Sequence, residues 1–167
     1  PPAPNSSTMR NTILALLTLL PVSLSAQLGH GGQPIAWGGS APHSSSLPVV
    51  ALSALDRQTL MAQDQLAHPT EERYGIQRFW GVDVMAQGQV DALPDDRQMR
   101  RIVLKSPGAV MLSVQFDQFD LAPDTWVFLY NTDRTFFIGG FNELNELPSG
   151  DLATAVVPGD EVVIEVQ

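Results

Sequence analysis

Apolar and polar positions alternate most regularly between Ile102 and Tyr130. Val110, Leu112, Val114 and Phe116 recur at every second residue, with Ala109, Met111, Ser113 and Gln115 between them, which predicts a strand with one strongly apolar side. Burial of those side chains is expected to contribute about 6–12 kcal/mol as an upper bound. Ser106-Pro107-Gly108 predicts a turn into that strand. Ala122-Pro123-Asp124 predicts a turn out of it, toward the β-rich run Trp126-Val127-Phe128-Leu129-Tyr130. The same criteria predict strands over Ile76 to Met85, Gln98 to Lys105, Thr135 to Phe141, Leu152 to Val157 and Glu161 to Val166. Pro158-Gly159-Asp160 joins the last two, and the stretch holding Gly88 and Leu93-Pro94-Asp95-Asp96 reads as turns.

One segment has a different pattern. Leu55, Leu60, Met61 and Leu66 stand among Asp56, Arg57, Gln58, Gln63, Asp64 and Gln65, which predicts a short amphipathic helix within Leu52 to Leu66, packed on the sheet. His68-Pro69 ends it, because the residue before proline is driven out of the helical region. The fold expected is mainly β: an antiparallel β-sandwich of jelly-roll type with one short N-terminal amphipathic helix.

The N-terminal part reads as processing signals. Pro1 to Thr8 carry no periodicity and precede Met9, as an upstream extension would. Arg10, the apolar run Ile13 to Leu20, the break at Pro21 and the small residues Ser23, Ser25 and Ala26 follow the order of a secretory signal peptide over residues 9–26. The run is shorter than the ~20 apolar residues a membrane-spanning helix needs. Cleavage between Ala26 and Gln27 is expected, giving a secreted chain without stable membrane insertion. Gln27 also stands where a lipoprotein signal would place cysteine. Residues 27–51, rich in Gly, Ser and Pro up to Pro48, read as a flexible leader, and 52–167 as the folded unit.

Charge narrows the partners. The chain carries −9, and loss of a segment whose single basic residue is Arg10 makes it −10. Such a surface repels phosphate backbones and anionic lipid, which argues against nucleic acid. With no cysteine there is no disulfide framework, thiolate metal site or cysteine nucleophile. Arg97, Arg100, Arg101 and Lys105 form a local basic run, read either as a solvated face or as a surface for an acidic partner.

Candidate chemistry is sparse. No serine-peptidase nucleophile motif occurs, and His30, His43 and His68 fall in segments flanked by glycine or proline. Gly29-His30-Gly31-Gly32 with His43 lacks the ligand number zinc requires. The candidate metal site is for calcium: Asp117, Asp120 and Asp124 after the central strand, with Asn131 and Asp133 at the end of the next, supply hard oxygen ligands on adjacent loops. The same residues also suit solvated turns, and no cofactor is otherwise expected. Trp126, Phe128 and Tyr130, with Phe136, Phe137 and Phe141, could form a sugar or peptide platform, but at period two in a small sandwich they read as core aromatics.

Ordered blocks of sequence carry a family resemblance. They are Leu104-Lys105-Ser106-Pro107-Gly108-Ala109; Leu112 to Leu121, LSVQFDQFDL; Phe128-Leu129-Tyr130-Asn131; Ile138-Gly139-Gly140-Phe141; and Leu152 to Val162, LATAVVPGDEV. Their order is similar to the N-terminal pro-region of secreted bacterial trypsin-like serine endopeptidases of the lysyl endopeptidase type. The similarity covers about residues 48–167. Arg100, where an aromatic residue is common, and the loose turn Asn142-Glu143-Leu144-Asn145 depart from the pattern. The resemblance implies a non-catalytic region preceding a peptidase domain in one precursor, its partner being that domain. It supplies no catalytic residue to this chain. A stand-alone jelly-roll module that binds carbohydrate, peptide or calcium is the alternative expectation.

Overall fold

The computed structural model describes residues 29–38, 47–66 and 73–167. Ala26, Gln27, His43, His68 and the expected signal segment lie outside the described residues. The fold is mainly β. Strands β1 (Val49–Ala51), β2 (Gln89–Ala92), β3 (Gln98–Lys105), β6 (Val127–Tyr130), β7 (Phe137–Phe141) and β10 (Glu161–Val166) form one sheet in the order β1-β3-β10-β6-β7, with β2 also on β3. β4 (Met111–Leu112) pairs with β9 (Val157–Pro158), and β5 (Gln115–Phe116) with β8 (Leu152–Ala153). Among the described residues, no helix is long and apolar enough to cross a membrane.

Both faces of the large sheet are covered, which explains why its inner strands carry apolar residues on both sides. Ile102 and Leu104 of β3, Val162, Ile164 and Val166 of β10, and Val127 and Leu129 of β6 share one face. They pack with Val114, Phe119, Leu152 and Val157, the segments that carry the two short strand pairs. On the other face Met99, Val103, Val163 and Tyr130 meet Ala36, with Ile35, Trp37 and Leu47 beside them. The described leader residues therefore close the second face. A 3-10 turn, Ile35–Trp37, places Trp37 edge-on to Tyr130 at 5.8 Å and to Phe137 at 5.0 Å. This differs from the extended, mobile segment that Gly/Ser/Pro composition suggests, and β1 adds a strand within the same region.

The antiparallel expectation needs one correction. β1 runs parallel to β3, with Val49 opposite Val103 and Ala51 opposite Lys105. β1 and β2 share the same edge of β3 end to end, because β2 pairs only with Gln98 to Arg101. β3 and β10 coincide with the predicted strands, and β6 and β7 fall within theirs.

The predicted strand over residues 109–116 is not continuous. Its ladder to the partner segment is only half formed at Thr154, whose N–H donates to Val114 O at 2.9 Å while Val114 N–H donates to Thr154 Oγ1 at 3.1 Å and Ser113 Oγ donates to Thr154 O at 2.7 Å. Val110 is 60% exposed, Leu112 and Phe116 are half-buried, and Val114 is buried at 8%. The apolar alternation thus overstates the burial. Val114→Ala is expected to cost about 2–3 kcal/mol, and Val110→Ala under about 0.5 kcal/mol, as read by urea unfolding.

Three further expectations change. Residues 76–83 are irregular and lead to α2 (Val84–Gln87) instead of a strand, since Asp83 caps that helix by accepting from Met85 N at 2.8 Å and Ala86 N at 3.0 Å. The predicted turns around Gly88 conceal β2, which returns to β3 through Asp95 and Asp96 at φ 62° and 59°. That left-handed pair is what a tight hairpin needs. The predicted helix is shorter, α1 (Arg57–Leu66), started by Asp56, which accepts from Thr59 N–H at 3.1 Å. None of its residues is buried, so it does not pack on the sheet as expected.

Candidate functional site

The acidic loop residues do not converge. Asp117, Asp120 and Asp124 are exposed, and Asp124 sits at φ 64° in its turn. Asn131 is committed to the β6–β7 loop: its Oδ1 accepts from Thr135 N at 3.0 Å and Phe136 N at 2.9 Å. Asp133 Oδ1 accepts from Thr135 Oγ1 at 2.9 Å. Among the described residues no three His, Asp or Glu side chains come together as a metal-holding group. The loose turn Asn142 to Asn145 is a capping box, with Asn142 N–H donating to Asn145 Oδ1 at 3.0 Å and Leu144 N–H to Asn142 Oδ1 at 3.0 Å.

The basic run divides by strand alternation. Arg97 is exposed, whereas Arg101 points into the leader-covered face at 3% exposure. Its Nη2 lies 2.5 Å and its Nε 3.2 Å from Asp91 Oδ2, a buried ion pair. Arg100 Nη1 donates to Met85 O, and Lys105 Nζ pairs with Glu161 at 2.6 Å. Neither the fully solvated face nor a single basic patch describes this run. The aromatic run is mostly core: Phe128 and Tyr130 are buried at 1% and 2%, while Phe136 stays 39% exposed.

A buried polar chain joins the leader to the sheet. Glu165, opposite Arg101 in β10, is 0% exposed. Tyr130 donates to its Oε2 at 2.8 Å and Ala36 N–H to its Oε1 at 3.3 Å. Gln167 Oε1 accepts from Ile35 N–H at 2.9 Å beside it. Sequence reading gives Glu165 as one polar position in an apolar strand; its role becomes visible only with the leader in place. Burial holds the Glu165 carboxyl above its ordinary range, outweighing the hydrogen bonds from Tyr130 and Ala36 and the Arg101 charge. Burial, then the Glu165 charge, raises the Tyr130 phenol.

The consequence for stability has a definite sign. A carboxyl raised in the folded state binds its proton more tightly there than when unfolded. Its contribution is complete below the unfolded-state value and is lost as pH rises through the raised folded value. Unfolding free energy should therefore fall across that window by up to about 1.4 kcal/mol per pH unit, and Glu165→Gln should remove that slope in denaturant titrations.

Between α1 and β4 lies an open groove of about 550 Å³. Leu55, Leu60 and Met61 form one wall, Val110, Met111 and Leu112 the other, with Ile76, Arg78 and Trp80 between. Three arginines line it, Arg57, Arg73 and Arg78, against one carboxylate, Asp64, which takes Arg73 at 2.9 Å. In the sequence, part of this surface falls in the predicted helix within Leu52 to Leu66 and part in the predicted strand from Ile76, with no signal that the two come together. No protein-family model, curated protein or solved structure matches the chain.

Proposed function

We propose that residues 48–167 are the non-catalytic pro-region of a secreted trypsin-like serine endopeptidase of the lysyl endopeptidase type. Its role is to fold early, dock on the peptidase domain of the same precursor and assist that domain's folding or latency. The signal segment ending at Ala26 directs export, to the periplasm or beyond.

One observation carries the reading. Each sequence block behind the resemblance contributes to a single core: Leu104 from the first, Val114 and Phe119 from the second, Leu129 from the third, Phe141 from the fourth, and Leu152, Val157 and Val162 from the fifth. Separate chance similarities have no reason to meet in one apolar cluster, whereas a shared folding unit does. On this reading the two short pairs, β4–β9 and β5–β8, are the second layer of a jelly-roll-type sandwich laid on the large sheet.

The test is kinetic. The purified domain, added to the mature cognate peptidase, is expected to slow peptide hydrolysis in a dose-dependent way. Unchanged kinetics at high molar excess reject the latency role.

A further inference from the structure

We propose that the groove between α1 and β4 binds an extended peptide segment that presents one carboxylate between apolar side chains. The inference rests on the groove itself and goes beyond the precursor reading, so either can fail alone.

Two features select an extended occupant. Val110 and Met111 are 60% and 52% exposed on one wall, and Met61 is 61% exposed on the other. β4 pairs with β9 alone, so its second edge carries no strand among the described residues. A peptide laid along such an edge gains main-chain hydrogen bonds, and its alternate side chains reach the apolar walls.

Charge selects the carboxylate. The Arg78 guanidinium is held by neutral oxygens alone: Nη1 donates to Ser53 O at 2.9 Å and Ser106 Oγ at 3.1 Å, and Nη2 to Ser53 Oγ at 3.0 Å. It is half-buried and carries no ion pair among the described residues. Arg57 on the rim likewise has no ion pair there. In a chain of net charge −9 this is a local positive excess, fixed in place before a ligand arrives. Arg73 does not add to it, because Asp64 already neutralises it. A preoriented guanidinium favours a carboxylate over an amide and rejects an ammonium.

The probe is a blocked, fluorescein-labelled decapeptide of alternating Val and Ser with one central Glu, titrated against the full chain by fluorescence anisotropy. Saturable binding is expected, weakened about tenfold when the central Glu is Gln and more when it is Lys. Arg78→Gln should give a similar loss. Because Arg78 also ties Ser53 to Ser106, Arg57→Gln serves as a second variant, with weaker binding and an unchanged melting temperature. Equal binding of the Glu and Lys peptides, or no saturation up to about 1 mM, overturns the proposal. So does sedimentation equilibrium that finds a dimer abolished by Met111→Asp, which would make a second copy the occupant.

Discussion

Arg101→Met is expected to lower the unfolding free energy by about 3–5 kcal/mol, the range for removing one member of a buried ion pair. Asp91, 7% exposed, would be left without its cation, and Glu165 on the neighbouring strand would lose the positive charge that moderates its burial. The Arg101 guanidinium itself loses favour by desolvation, but the hydrogen bond and charge of Asp91 more than compensate and raise its pKa. Urea unfolding measures the effect. The double variant Asp91→Leu/Arg101→Met should recover most of the loss, because no charge of that pair is then stranded. If the single variant costs less than about 1 kcal/mol, the pair is hydrated and the buried network is misassigned.

Gly140→Ala is the second large effect, about 2–5 kcal/mol. Gly140 sits at φ 68°, where an L side chain costs ~1–2 kcal/mol. A Cβ there would also lie 2.1 Å from Gly31 O, in the leader segment whose His30 N–H donates to Gly140 O at 2.8 Å. Something must move, and overpacking of this kind costs ~1–3 kcal/mol. The two contributions separate by cycle. In a chain lacking residues 29–38 the clash with the leader is gone, so Gly140→Ala should cost only the conformational part. An equal cost with and without the leader would mean that the leader does not lie on β7 in solution.

Much of the sheet is legible from the sequence because its strands are governed by local pattern. β3 and β10 follow from β-branched and apolar runs bounded by turns, and those runs are long enough to resist local competition. Elsewhere a side chain overrides the pattern. Asp83 caps a helical turn inside the predicted strand over residues 76–85, and Thr154 interrupts the ladder that residues 109–116 would have formed.

The candidate sites were less legible for another reason. Arg101 reads as part of a solvated or partner-facing run and Glu165 carries no reading of its own, because the cover over the second face of the sheet comes from residues 34–37, more than 60 positions away from either in the chain. The glycines of that leader suggest mobility by composition. In the fold Gly29 is instead what lets the leader backbone approach β7, since a Cβ on it would meet Gly139 O at 1.9 Å. The groove arginines escape sequence reading too, because nothing local says which arginine finds a carboxylate.

The central claim is that this chain belongs to a peptidase precursor, and the reading frame beyond the codon for Gln167 tests it most directly. The account predicts an uninterrupted frame of roughly 200 or more codons that encodes a histidine, an aspartate and a Gly-Asp-Ser-Gly-Gly nucleophile loop. A stop codon close to Gln167 would contradict it and leave the small β-rich domain as a binding module in its own right.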